Sequence, residues 1–147
     1  GTLDAYYDAN IAMLDPVPPL NLYQRDWPIR SYTAQSPPAR TVPGEEGYDG
    51  VIYNASLAGG VVINGGVVRH SILSAWVRLE HASVVEDSIL FDNVTVGAGA
   101  KLKRCIVDKH VRIPEGESIG YDLERDRQRF TVSENGVVVV GRRAVFD

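Results

Sequence analysis

The chain has 147 residues, 44% of them hydrophobic and 23% charged, with a net charge of −4 and a single cysteine. This is the composition of one ordinary folded domain rather than a disordered segment, and its acidic balance argues against nucleic acid or an anionic membrane as a general partner. No run approaches the roughly 18 apolar residues that span a bilayer, nothing at the start reads as a signal peptide, and a lone Cys105 makes neither an internal disulfide nor a cysteine-based metal site. A reducing, cytoplasmic location is the expectation.

Residues 1–15, "GTLDAYYDANIAMLD", predict an amphipathic helix. Leu3, Tyr7, Ile11 and Leu14 share one face at spacings of 4, 4 and 3, Thr2 is placed to cap the start, and Pro16, Pro18 and Pro19 stop it. Such a face needs a surface to pack on. Residues 16–50 hold seven of the eight prolines together with Tyr23, Trp27, Tyr32 and Tyr48. Proline fixes φ and lacks an N–H donor, so this reads as an extended connector pinned to a surface by its aromatic residues.

Residues 51–120 follow a ruler. "HSILSAWVRLEHASVVE" (70–86), "DSILFDNVTVGAGAKLK" (87–103) and "RCIVDKHVRIPEGESIG" (104–120) align without gaps at a period of 17. Small Ser71, Ser88 and Cys105 coincide, as do Ile72, Ile89 and Ile106, then Leu73, Leu90 and Val107. Val77, Val94 and Val111 form another set; so do Leu79, Val96 and Ile113, and the small residues Ala82, Gly99 and Gly116. "SLAGGVVINGGVVR" (56–69) is an earlier copy about one residue shorter. Repeats of this length signal a stacked architecture. Hairpins would reverse the residue order between neighbours, whereas here like sits above like, as in parallel coils about 4.8 Å apart.

Apolar residues recur at steps near six, with small residues at corners where the backbone crowds a Cβ. Three short strands and three corners per coil make a triangular prism. The fold class is therefore mostly β: a left-handed parallel β-helix of about four hexapeptide-type coils, preceded by a short N-terminal helix and a Pro-rich connector. Ile89, Val94, Val96 and Leu102 are expected inside, each contributing roughly 1.5–3 kcal/mol. Residues 121–147 read as a C-terminal cap. "YDLERDRQR" suggests a short charged helix, and "FTVSENGVVVV" a hairpin turning at Asn135-Gly136 that blunts the open last coil.

β-Helices include histidine-dependent acyltransferases and zinc carbonic anhydrases. Here His70, His81 and His110 occupy coil positions 1, 12 and 7, so they point from different faces and cannot converge on one zinc. Position 1 also carries Asp87 and Arg104, the pattern of a solvated charge ladder. Neither a P-loop, nor a dinucleotide fingerprint, nor a Ser/His/Asp arrangement is present. No catalytic or metal-binding residue is expected. Basic side chains anchored at strand ends are better candidates, because arginine takes phosphate bidentately. These are Lys109 at a corner and Arg142 with Arg143 after "VVVV".

In order along the chain, "GTLDAYYDAN", "LNLYQRDWPIR", "PPAR", "SLAGGVVINGGVVRHSIL", "VEDSIL", "RCIVDKHVRIPEG" and "SENGVVVV" closely resemble the C-terminal part of bacterial glucose-1-phosphate adenylyltransferase, or ADP-glucose pyrophosphorylase. The resemblance implies that a preceding catalytic domain makes ADP-glucose and diphosphate from ATP and glucose 1-phosphate, for glycogen synthesis. That domain would carry the nucleotide loop and the residues for Mg²⁺. It implies that the helix at 1–15 closes that domain, so that its packing partner lies upstream. It also implies a homotetramer regulated by sugar phosphates or pyruvate-type acids and inhibited by a nucleotide. On the matching motifs, the implied effector-binding residues are Ala58, Gly59 and Gly60, where the family has a Ser-Gly-Gly turn, together with Lys109 and Arg142. Alanine replaces the common serine at 58, and Lys109 is arginine in some members. Two other readings stand beside this one: a stand-alone acyltransferase using one of the histidines, and a purely structural β-helix.

Overall fold

A computed structural model describes residues 2–14, 37–43 and 50–146. The chain opens with α1 (Leu3–Ile11), where Thr2 accepts a hydrogen bond from the Ala5 N–H at 3.1 Å, and a 3₁₀ turn (Ala12–Leu14) follows. Next come β1 (Arg40–Val42), β2 (Val51–Tyr53) and β3 (Ser56–Leu57), one strand for each side of the prism. The second coil is β4 (Val62–Asn64), β5 (Val67–Arg69) and β6 (Ile72–Leu73); the third is β7 (Arg78–Leu79), β8 (Val84–Glu86) and β9 (Ile89–Leu90). The fourth is β10 (Thr95–Val96), β11 (Lys101–Lys103) and β12 (Cys105–Val107). β13 (Arg112–Ile113) and β14 (Ser118–Ile119) begin a fifth, then α2 (Leu123–Arg129), β15 (Thr131–Val132) and β16 (Val138–Val140) end the fold.

Side A runs β1-β4-β7-β10-β13, side B β2-β5-β8-β11-β14, and side C β3-β6-β9-β12-β16 with β15 beyond. Every pair is parallel except β15 with β16. This is the left-handed β-helix of about four turns that the period of 17 predicts.

The interior repeats in columns. Leu73, Leu90, Val107 and Val140 stack at one position, Val61, Val77, Val94 and Val111 at a second, and Ile63, Leu79, Val96 and Ile113 at a third, all within one buried cluster. Ser71, Ser88 and Cys105 form a polar thread within it. Ser71 Oγ accepts from the Ser88 N–H at 3.1 Å, and Ser88 Oγ accepts from the Cys105 N–H at 3.2 Å. The hydroxyls also donate to the Arg69 and Glu86 carbonyls, so no polar atom is left idle. Burial pushes the Cys105 thiol up to about 12, which makes it an inert member of this thread.

Four expectations change. The stretch expected to be only a connector, residues 16–50, already contains a rung of the prism, because β1 pairs with β4 with Arg40 opposite Val62; Tyr23, Trp27, Tyr32 and Tyr48, expected as anchors, lie outside the described residues. Ile89 is not inside. It follows Ile72 and Ile106 on the outer surface of side C, where a second cluster forms with Tyr7 and Val137. That cluster gives α1 its packing surface within the chain. Tyr7 is 3% exposed, its hydroxyl donates to the Asp87 carbonyl, and the Arg104 guanidinium lies 5.3 Å from its ring centre. Finally, the ladder His70-Asp87-Arg104 is only half exposed, because α1 leans on it and His70 Nδ1 sits 2.7 Å from Asp87 Oδ1. Asp4 fastens the start of α1 to the far end of the fold by accepting from Ser133 Oγ and from the Asn135 N–H.

The cap closes the prism with charge as well as with apolar side chains. Leu123, Phe130, Val132 and Phe146 pack against the core, and Asp126, 1% exposed, accepts from the Gly120 N–H at 2.8 Å. Glu117 Oε1 accepts from Arg129 Nη2 at 2.9 Å. Burial alone would raise the Glu117 carboxyl, but the hydrogen bond and charge of Arg129 reverse this and hold it below its ordinary value of 4.5. A carboxyl depressed in the folded state contributes stability above its unfolded value, and the contribution is lost as pH falls through the folded one. Glu117→Gln is therefore expected to lower stability at neutral pH by about 3 kcal/mol, with the gap to wild type closing below pH 4.5; urea unfolding across pH measures it, and a gap independent of pH contradicts this role.

Candidate functional site

The prism corners place the candidate residues. Each corner of this coil is turned by one residue in the left-handed region, and three parallel series do it. They are Asn54, His70, Asp87 and Arg104; Gly60, Trp76, Asn93 and His110; and Gly65, Ala82, Gly99 and Gly116. The corner between sides C and A carries all five implied effector residues. Register stacks Ala58-Gly59-Gly60, Ser74-Ala75-Trp76, Phe91-Asp92-Asn93, Asp108-Lys109-His110 and Gly141-Arg142-Arg143. Backbone bonds hold the stack, from the Trp76 N–H to the Gly59 carbonyl (3.2 Å), Asn93 to Ala75 (3.0 Å) and His110 to Asp92 (2.9 Å). The Asp108 N–H donates to the Val140 carbonyl at 2.9 Å, and the register that this continues puts Arg142 on the rung next to Lys109, 33 residues away in the chain (142 − 109).

The edge has two stations. At one end Asp108 organises the charges: its Oδ1 accepts from the Lys109 N–H at 2.7 Å, and its Oδ2 lies 3.6 Å from Arg142 Nε. Both side chains are largely exposed, so this pair is weak, on the order of 0–1 kcal/mol. The Lys109 ammonium has no ion-pair partner among the described residues. An arriving phosphate or carboxylate can thus replace Asp108 on Arg142 at little cost and gain Lys109 as well.

The other station lies around Gly60. Its N–H donates to the Pro37 carbonyl at 2.6 Å, and the Trp76 indole packs flat against it, so that a Cβ there would lie 2.7 Å from the ring. Trp76 is 49% exposed and holds φ at +64°, a strained setting for a bulky residue. A cavity of about 410 Å³ opens beside it, lined also by Arg40 and Arg78. Arg78 Nε is bound to Glu80 Oε1 at 2.6 Å. Three rungs of about 4.8 Å put Gly59 roughly 14 Å from Lys109, so one small ligand cannot touch both. Arg40, Trp76, Arg78 and Asp108 were not singled out by the sequence reading. Arginine at 78 and 112, immediately before the buried Leu79 and Ile113, is the local signal that these side chains face outward on side A, where they alternate with Thr95.

The three histidines stay apart. His70 and His110 turn different corners, and no group of three or more His, Cys, Asp or Glu among the described residues can hold a metal ion.

Residues 37–140 match the family model described as GlmU-like, C-terminal hexapeptide. The chain is 54% identical over 140 residues to glucose-1-phosphate adenylyltransferase 2 of Vibrio cholerae, covering 95% of this chain and 34% of that protein. It is 48% identical over 147 residues to glucose-1-phosphate adenylyltransferase of Deinococcus radiodurans, covering 99% and 36%. With the protein of that name from Koribacter versatilis it shares 46% identity over 142 residues, covering 97% and 34%. The chain thus spans about a third of the length of these relatives, and the match falls on their C-terminal third.

Gly60→Ala tests the tryptophan station. The added methyl meets both the indole and a φ of +77°, so a loss of about 1–3 kcal/mol is expected, with a shifted Trp76 fluorescence in a Trp27→Phe background. Unchanged emission and stability would contradict the close packing of Trp76 on Gly60.

Proposed function

The chain belongs to the GlmU-like C-terminal hexapeptide family, and we propose that it is the regulatory and oligomerising C-terminal segment of a glucose-1-phosphate adenylyltransferase. The whole protein then makes ADP-glucose and diphosphate from ATP and glucose 1-phosphate, for glycogen synthesis, on a catalytic domain that precedes this chain. Mg²⁺ would supply charge stabilisation to that transfer, held by the catalytic domain; the expectation is that this segment by itself is inactive, since the transfer belongs to that domain. The protein acts in the cytoplasm as a homotetramer.

One observation carries the regulatory part. Register places Lys109 and Arg142 at the same corner position on adjacent rungs, and Asp108 binds the Lys109 N–H and faces Arg142 Nε at 3.6 Å. A sugar-phosphate or pyruvate-type activator takes Arg142 from Asp108 and is clamped by two cations. The Ala58-Gly59-Gly60 turn, with its neighbouring cavity, is the second contact point and suits a nucleotide inhibitor or the approach of the catalytic domain. Regulation requires that an effector favour one state of the assembly, by typically about 1–3 kcal/mol. The prism can move as a stiff body, and α1 is tied to it through Tyr7 and Asp4, so the preceding domain feels that movement at once.

The test uses the full-length protein and pyrophosphate release. Lys109→Ala and Arg142→Ala are each expected to weaken activation by fructose 1,6-bisphosphate or pyruvate at least tenfold in the concentration needed, a loss of about 1.4 kcal/mol. The 147-residue chain should release no pyrophosphate. Turnover by this chain, or activation untouched in both variants, would overturn the reading.

A further inference from the structure

Of the chain's asparagines, only Asn64 and Asn135 are followed by glycine. In such a pair the next backbone nitrogen reaches the side-chain carbonyl most easily, because glycine has no Cβ to obstruct it. The two pairs share their local chemistry, so a difference in reactivity between them comes from the fold. Asn64 closes β4, which lies between β1 and β7. Its Nδ2 donates to Glu80 Oε2 at 3.3 Å, and Gly65 is buried with its N–H bound to the Val42 carbonyl at 2.9 Å. Asn135 instead lies exposed at the tip joining β15 to β16, and β15 is a two-residue strand at the outer edge of side C. Its backbone is bonded, but its side-chain amide makes no hydrogen bond among the described residues. Gly136 is half-buried, and its N–H is held only by the Ser133 carbonyl at 3.1 Å, within the tip itself. Fraying of the tip frees that nitrogen, whereas freeing Gly65 requires opening the prism.

We propose that Asn135 is a site of spontaneous deamidation, and that this modification loosens the attachment of α1 to the cap. The Gly136 nitrogen, its proton lost to hydroxide, attacks Asn135 Cγ. The new N–C bond forms as the bond from Cγ to Nδ2 breaks, and Nδ2 leaves as ammonia with a proton taken from water. Water then opens the cyclic imide. Cleavage between the nitrogen and Cγ leaves aspartate; cleavage between the nitrogen and the backbone carbonyl carbon leaves isoaspartate. The balance is one water consumed and one ammonia released, and a neutral amide becomes a carboxylate. That charge arises where Asp4 anchors α1, accepting from Ser133 Oγ and, at 3.4 Å, from the Asn135 N–H. Like charges repel there. Arg104 Nη2 lies 3.2 Å from the Asn135 carbonyl oxygen, so it draws the new carboxylate away from Asp4. The same guanidinium sits over the Tyr7 ring, so α1 is weakened at both of its fastenings. Isoaspartate also lengthens the main chain by a methylene, which breaks the spacing of the turn.

The experiment ages the full-length protein in warm, mildly alkaline buffer and follows both Asn-Gly peptides by mass spectrometry, with an enzymatic assay for isoaspartate. Wild type is expected to gain about one mass unit at Asn135 about tenfold faster than at Asn64, a preference that disappears in denaturing urea. Asn135→Gln, whose longer side chain would need a larger ring, should stay unconverted at that position. Hydrogen exchange then reads α1. The amides of Tyr6, Tyr7 and Asp8 are expected to exchange faster in aged wild type and in Asn135→Asp than in fresh wild type, while ageing leaves Asn135→Gln unchanged. No conversion at Asn135, conversion of Asn64 at an equal or greater rate, a preference that persists in urea, or unchanged exchange of α1 after conversion would each overturn the proposal.

Discussion

Parallel register in the interior governs everything else in this molecule. Leu73 stacks on Leu90, Leu90 on Val107 and Val107 on Val140, and the other interior columns repeat the arrangement. A slip by one residue would turn a whole row of buried Ile, Leu and Val outward, at roughly 1.5–3 kcal/mol for each side chain exposed. The register is therefore locked, and whatever occupies a given place on one coil must sit directly above its counterpart on the next. Corners become edges, and edges become continuous surfaces. Lys109 and Arg142 are neighbours for this reason and no local one.

The same lock tolerates backbone settings that would be unfavourable alone. Trp76, His110, Asp87 and Arg104 all turn corners with positive φ, at roughly 1–2 kcal/mol each. The column of buried side chains behind them offsets this. Trp76 bears a double burden, strained and half exposed, and it does so where Gly60, Arg40 and Arg78 border a cavity. The ends of the prism are secured differently. α1 lies across side C through Tyr7 and reaches the cap hairpin through Asp4, so the first and last described elements are joined. At the other end, ionic bonds among Glu117, Asp126 and Arg129 cover the open coil.

How much of this was readable beforehand depended on distance along the chain. The period of 17 exposed the prism, because each repeat displays its own columns within a short window. The turn at Asn135-Gly136 and the short helix before it were equally local signals. What stayed hidden was pairing across an interruption. β16 resumes side C after α2 and β15 have been inserted, so nothing in the spacing reveals that Val138 sits opposite Cys105 or that Arg142 follows onto Lys109. Ile89 was misplaced for a related reason: period alone cannot distinguish a column buried inside the prism from one buried outside under α1. β1 was missed because three residues after a run of prolines carry little pattern of their own. Of the candidate site, the cations and the glycine turn came from motif resemblance; Asp108, Trp76, Arg40 and Arg78 needed the three-dimensional edge.

The proposed regulation through this edge requires that a small anion alter contacts at one corner of a stiff prism and that the prism carry the change to a preceding catalytic domain. Hydrogen exchange of the full-length protein, with and without fructose 1,6-bisphosphate or pyruvate, tests that claim most directly. The account predicts added protection at the amides of residues 108–111 and 140–143, while interior amides such as those of Leu90 and Leu102 stay unchanged. Protection confined to other corners, or none anywhere on the prism at saturating activator, would contradict it.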